Sequence, residues 1–119
     1  LINDGGSIIN ISSTNAIDSY YIESIDYDAS KIGIISLTHN LAKYYAPKIR
    51  VNCICPGWVD TLMNKDLSKE QKDRENKKIL LNRFAKPSEI ANVIYFIASD
   101  EGSYINDAII KVDGGRNND

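Results

Sequence analysis

The apolar residues of this chain fall into short β-branched runs separated by amphipathic stretches. Gly5-Gly6 lead into Ser7 to Ser12 (SIINIS), the pattern of a turn followed by a brief buried strand. From about Asp26 to Tyr45, Ile34, Leu37, Leu41 and Tyr44 recur at helical spacing, with Asp26 as the expected N-cap and Pro47 as the stop. Ile49 to Cys55 (IRVNCIC) reads as a second buried strand, broken by Pro56-Gly57. The stretch Asn64 to Lys78 is polar and dense in both charge signs, which predicts a mobile helical flap. Pro87 suits the first turn of another helix, whose stripe Ile90, Val93, Ile94 and Ile97 ends near Gly102. Ala108 to Val112 (AIIKV) is the last expected strand.

The order β-α-β-α-β predicts a parallel sheet in an α/β fold, half of a doubly wound domain. No internal repeat, linker or low-complexity tract divides the chain, so residues 1–119 read as one domain or part of one, with 62–82 as a variable insertion.

Charge and composition narrow the partners. A formal net charge of -2 gives no basic field to hold nucleic acid or an anionic membrane. Apolar runs such as Ile32 to Leu37 fall far short of the roughly 20 residues of a membrane helix, and the N-terminus lacks signal-peptide order, so a cytoplasmic location is expected. Cys53 and Cys55, two apart on a strand, share a face as small buried hydrophobes. With His39 as the lone histidine, read here as a helix-surface or packing residue, no metal site is expected.

Chemistry concentrates at Tyr27-Asp28-Ala29-Ser30-Lys31. Tyr27 falls in the first helical turn and Lys31 one turn later on the same face, where the helix N-terminus and the ammonium both favour a phenolate. Tyr44 and Lys48 repeat the spacing, but at the negative helix end beside Pro47, so that pair is read as a coincidence. Ser12-Ser13 ends the first strand at the sheet edge where open α/β sheets place ligands. Pro56-Gly57 and the loop Trp58 to Thr61 follow the second strand at that same edge, offering backbone groups and a threonine hydroxyl.

In its segments GGSIINISS, YDASK-x-G-x-x-x-LT, IRVN-x-I-x-PGWV-x-T and R-F-x-K-P-x-E-I-A…F-I-A-S-D…V-DGG, the chain resembles the short-chain dehydrogenase/reductase family nearly end to end. The resemblance implies an alcohol/ketone oxidoreductase using NAD or NADP. Ser13 would orient the substrate oxygen, Tyr27 would be the general acid/base, and Lys31 would assist Tyr27 and hold the nicotinamide ribose. Pro56 and Gly57 would shape a loop whose Val59 backbone and Thr61 hydroxyl meet the nicotinamide, while the segment after Met63 would be the substrate flap. A homo-oligomer, dimer or tetramer, is implied for the full-length protein.

The family's T-G-x-x-x-G-x-G turn, its N-N-A-G segment and the asparagine that often completes its catalytic group do not occur here. The expectation is therefore the C-terminal half of a Rossmann-type fold with the N-terminal half absent, a truncation that the initial leucine favours. The alternative is a non-catalytic remnant or interaction module. Ala85 where the family usually has glycine, and Asn106-Asp107 where it has Thr-Gly, are expected to be neutral, since Asn and Asp tolerate turn geometry.

Overall fold

The computed structural model describes residues 3–117; positions 1, 2, 118 and 119 of the expected domain lie outside the described residues. Strand β1 (Ser7–Ile11) leads to helix α1 (Ile25–Tyr45), strand β2 (Arg50–Pro56), the short helix α2 (Lys69–Asn76), helix α3 (Pro87–Ala98) and strand β3 (Ile109–Val112). The strands form one parallel sheet in the order β1-β2-β3, with Ile9 opposite Asn52 and Ile54 opposite Ile110. The expected half of a doubly wound α/β fold is what the chain adopts. Val51 to Cys55 in the central strand are all buried, as a strand covered on both faces must be.

Several element boundaries differ from expectation. β1 ends at Ile11 rather than Ser12, although the Ser12 N–H still donates to the Ile54 carbonyl at 2.8 Å. Pro56 does not break β2 but is its last residue, paired with Val112. By the alternation of the ladder its missing N–H would face β1, which has already ended, so nothing is lost there. β2 accordingly runs one residue beyond the expected Cys55 and begins at Arg50 rather than Ile49; β3 begins at Ile109 rather than Ala108.

Helix α1 begins at Ile25 with Ser24 at the N-cap position, not at Asp26. A 3₁₀ turn, Ile22–Ser24, runs directly into it, which places Asp26 inside the first turn, where its charge still complements the helix dipole. The buried positions are Asp28, Thr38 and Ala42, whereas Leu37 and Tyr44 of the anticipated stripe are exposed. Small and polar side chains occupy the buried face because it is bonded to the strand: Asn10 Nδ2 donates to Thr38 Oγ1 at 3.0 Å, and Ala42 packs with Ile49 and Val51.

At α3, Pro87 occupies the first turn as anticipated, and Glu89 accepts from the Lys86 N–H at 2.9 Å. Two parallel bonds from Arg83, 2.6 and 2.8 Å long, hold the Glu89 carboxyl at about 2. The helix ends at Ala98, and a 3₁₀ turn, Asp100–Gly102, completes the expected run. Here the Arg50 guanidinium gathers the Gly102, Ile105 and Ser99 carbonyls at 2.8, 3.0 and 3.3 Å, neutralising the negative end of α3.

The approach to β3 is held by asparagines. Buried Asn52 donates to the Ile105 carbonyl at 2.9 Å and accepts from the Ala108 N–H at 3.0 Å, while Asn106 Oδ1 accepts from the Val51 N–H at 2.9 Å. Asp107 takes a left-handed conformation (φ 56°), which fits the tolerance expected of this turn. Its carboxylate meets His39 Nδ1 at 2.6 Å, so His39 is a surface residue tying α1 to the turn. Among the described residues no helix is long and apolar enough to cross a membrane.

Two outcomes are expected. Asn52→Ala leaves the Ala108 N–H without its acceptor and takes one of two donors from the Ile105 carbonyl, which Arg50 still holds, and should lower the unfolding free energy by about 1–3 kcal/mol in urea titration, against about 0.5 kcal/mol or less for exposed Asn40→Ala. In the 119-residue chain, the amides of Ile9 and Ile11 point away from β2 and should exchange much faster than those of Ile8 and Asn10, with self-association visible by size-exclusion light scattering. A stable monomer with all four amides protected would contradict the open edge of β1.

Candidate active site

Three parallel strands end at one edge of the sheet, and a cleft of about 870 Å³ opens beside it. Ser13, Tyr27, Gly57, Val59 and Thr61 all border this cleft; Lys31 and Pro56 do not. Thus the structure brings together five of the seven residues singled out from the sequence, and the other two adjoin them.

Ser13 is buried directly after β1, where its Oγ accepts from the Asn15 N–H at 3.1 Å and so caps the 3₁₀ turn Thr14–Ala16. Its own proton is held only by a long 3.4 Å bond to Asn15 Oδ1, which a better acceptor in the cleft can replace. Ser12 is excluded from this role: its Oγ donates to the Lys31 backbone carbonyl at 2.7 Å, fastening α1 to the end of β1.

Tyr27 lies in the first turn of α1 and is 46% exposed, and its hydroxyl has no hydrogen-bond partner among the described residues. The Lys31 ammonium stands 5.4 Å from the ring centroid, the one-turn juxtaposition the spacing predicts, and donates to the Ile11 carbonyl at 3.4 Å. Tyr44, by contrast, projects into solvent and meets the Tyr45 ring edge to face.

Asp28, the neighbour of Tyr27, is a positioning residue that the sequence reading passed over. It is 8% exposed and receives Asn15 Nδ2 at 2.8 Å, Ser24 Oγ at 3.0 Å and the Tyr21 N–H at 3.4 Å. The bond from Asn15 chiefly holds its carboxyl below the usual range, against the opposing effect of burial. This anchor is therefore complete above the ordinary aspartate range and is lost as pH falls through the depressed value. It ties the segment carrying Ser13 to the helix carrying Tyr27. An acidic residue in a first helical turn ordinarily signals only a dipole partner, so the pattern contained no hint of it.

After β2 the chain passes so close to Asp113 that a side chain at residue 57 would put its Cβ 2.8 Å from that of Asp113; only glycine fits. Residues 58–60 then pair with Ala85: the Asp60 N–H donates to Ala85, and the Ala85 N–H donates to Trp58, at 2.8 and 2.9 Å. Ala85 is thus compatible with this bridge. The pairing leaves the Val59 N–H without a partner among the described residues, and Thr61 Oγ1 is likewise unengaged. The opposite wall includes α2, whose N-terminus is closed by a reciprocal box between Ser68 and Gln71. Gly114 and Gly115, both at positive φ (72° and 82°), turn the chain after β3 so that their carbonyls accept from Leu81 and Leu80 at 3.1 and 3.0 Å.

Cys53 and Cys55 are fully buried, as their placement on one strand face predicts. The hydrogen bond with Cys53, together with burial, pushes the Cys55 thiol up and keeps it a neutral packing group.

The family described as Enoyl-(Acyl carrier protein) reductase matches residues 1–117. A 3-oxoacyl-(acyl-carrier-protein) reductase of Thermotoga maritima is 42% identical over 111 residues, covering 92% of this chain and 45% of that protein. Glucose 1-dehydrogenase 2 of Bacillus subtilis is 40% identical over 112 residues, covering 92% of this chain and 43% of that protein. Among solved structures, a short-chain dehydrogenase/reductase of Brucella melitensis described as a glucose/ribitol dehydrogenase superposes with a TM-score of 0.88 at 36% identity, over 95% of this chain and 46% of that one. The chain spans less than half the length of these relatives. A family match over nearly the whole chain, this level of identity and this close superposition lead to one conclusion: the chain belongs to the short-chain dehydrogenase/reductase family.

Proposed function

We propose that this chain carries the catalytic side of an oxidoreductase that interconverts an alcohol and a ketone with NAD or NADP, Tyr27 acting as the general acid/base. The observation that carries this reading is the convergence of Ser13, Tyr27 and the loop from Gly57 to Thr61 on one cleft, with the Lys31 ammonium 5.4 Å from the Tyr27 ring.

The donor set fits the carboxamide end of a nicotinamide. The free Val59 N–H can donate to the amide oxygen, and the Thr61 hydroxyl can accept from the amide nitrogen, both at the cleft wall. When bound, the cofactor supplies or accepts the hydride. Ser13 Oγ hydrogen-bonds the substrate oxygen and fixes it near Tyr27. Tyr27 delivers a proton to that oxygen in reduction and removes it in oxidation. Lys31 stabilises the negative charge that develops on the phenol oxygen and offers its ammonium to the ribose hydroxyls beside the nicotinamide. Segment 62–82 closes over the substrate as a flap. Exposed Ile25, Ile32 and Leu37 on α1 support a homo-oligomeric assembly of the natural product.

In the natural gene product carrying this chain, Tyr27→Phe should lower kcat by about 10²–10⁴-fold, the usual weight of a general acid/base, while leaving the cofactor Kd within about twofold. Lys31→Ala should weaken both turnover and cofactor binding, and Tyr44→Phe should be silent in each assay. Steady-state kinetics with isothermal titration of NADH and NADPH separates these cases. Near-normal turnover in the Tyr27→Phe enzyme would remove Tyr27 from the mechanism.

A further inference from the structure

The Trp58 side chain takes no part in the chemistry above, yet it is held on the cleft wall by both stacking and a hydrogen bond. Its ring lies stacked on buried Phe84, with centroids 5.2 Å apart and planes within 8°. Its Nε1 donates to Glu75 Oε2 of α2 at 3.3 Å. Glu75 is held in turn by Lys78 at 3.2 Å, and the Lys72 ammonium stands 5.3 Å from the Phe84 ring. One ring face and the only polar atom of the indole are thus occupied, and Trp58 lines the cleft, as do the apolar Leu67 and Ile79. Trp58 also follows Gly57 directly, so its backbone is set by the close contact with Asp113.

We propose that Trp58 is a specificity-determining residue: locked by Phe84 and by Glu75 of the flap helix, it forms a rigid apolar wall that selects ketones and secondary alcohols with an extended apolar chain on one side of the reacting carbon. This rests on the oxidoreductase reading for its substrate class. The physical basis is that a pre-ordered aromatic surface gains from each methylene it covers and loses little side-chain entropy on binding. Glu75 makes that wall depend on the position of α2, so the flap and the selectivity are coupled.

Trp58 is the only tryptophan in the sequence, which supplies a readout independent of turnover. In the natural gene product, the fluorescence that disappears in Trp58→Phe is assigned to this residue and titrated with acetone and with 2-octanone, both quenchers of indole emission. Saturable quenching by 2-octanone against a linear, collisional response to acetone is the expected result; linear responses to both would overturn the wall. In kinetics with the same ketones, Trp58→Ala should raise KM for 2-octanone about tenfold or more relative to acetone, with Trp58→Phe restoring most of the difference and Glu75→Leu reproducing part of the loss. An unchanged KM ratio in Trp58→Ala also defeats the proposal. If the wild-type protein turns over no ketone or alcohol with either nucleotide, the oxidoreductase reading fails instead, and the quenching titration still decides whether Trp58 binds apolar chains.

Discussion

Everything in this molecule depends on the burial of β2 between two parallel neighbours. Val51, Cys53, Ile54 and Cys55 have no solvent exposure, and the hydrogen-bonded registers that bury them bring the C-terminal ends of β1, β2 and β3 to one edge. Loops that are far apart in sequence are thereby forced into a single neighbourhood. Ser13, Gly57 and Asp113 each follow directly on the end of a different strand, or lie within two residues of it, and the fit between the last two is tight enough to demand a glycine. The sheet thus supplies one wall of the cleft, and α2 with its flanking residues supplies the other.

Around that edge the polar groups fall into two kinds. Some are spent on holding the frame: Asp28 with Asn15 and Ser24, Asn52 with Ile105 and Ala108, and Arg50 with the carbonyls at the end of α3. Each satisfies backbone or side-chain groups whose burial without a partner would cost on the order of 1–3 kcal/mol. Others have no partner, or only a long bond, among the described residues, namely the Tyr27 hydroxyl, the Ser13 proton, the Val59 N–H and the Thr61 hydroxyl, and these residues border the cleft. A group that folding leaves unsatisfied beside a cleft is available to a ligand. This division, more than any single distance, separates the catalytic candidates from the scaffold.

Local sequence determined a good deal by itself. β-branched runs bounded by glycine and proline specified three strands, Pro87 with its apolar stripe specified α3, and one helical turn between Tyr27 and Lys31 placed phenol and ammonium together wherever that helix sat. All of these are short-range consequences of backbone geometry and periodicity. The resemblance to the dehydrogenase/reductase family was legible in the same segments, because their glycines, prolines and polar residues stand at spacings set by turns.

Tertiary structure alone decided which face of α1 is buried, since Thr38 and Ala42 win that place over Leu37 and Tyr44 through contacts with Asn10, Ile49 and Val51. It also decided that Ser12 is spent on the Lys31 carbonyl, that Asp28 anchors the site, and that Trp58 is clamped between Phe84 and Glu75. These outcomes depend on which distant atoms come within hydrogen-bonding or stacking range, and spacing along a chain carries no information on that until the sheet has brought the partners together.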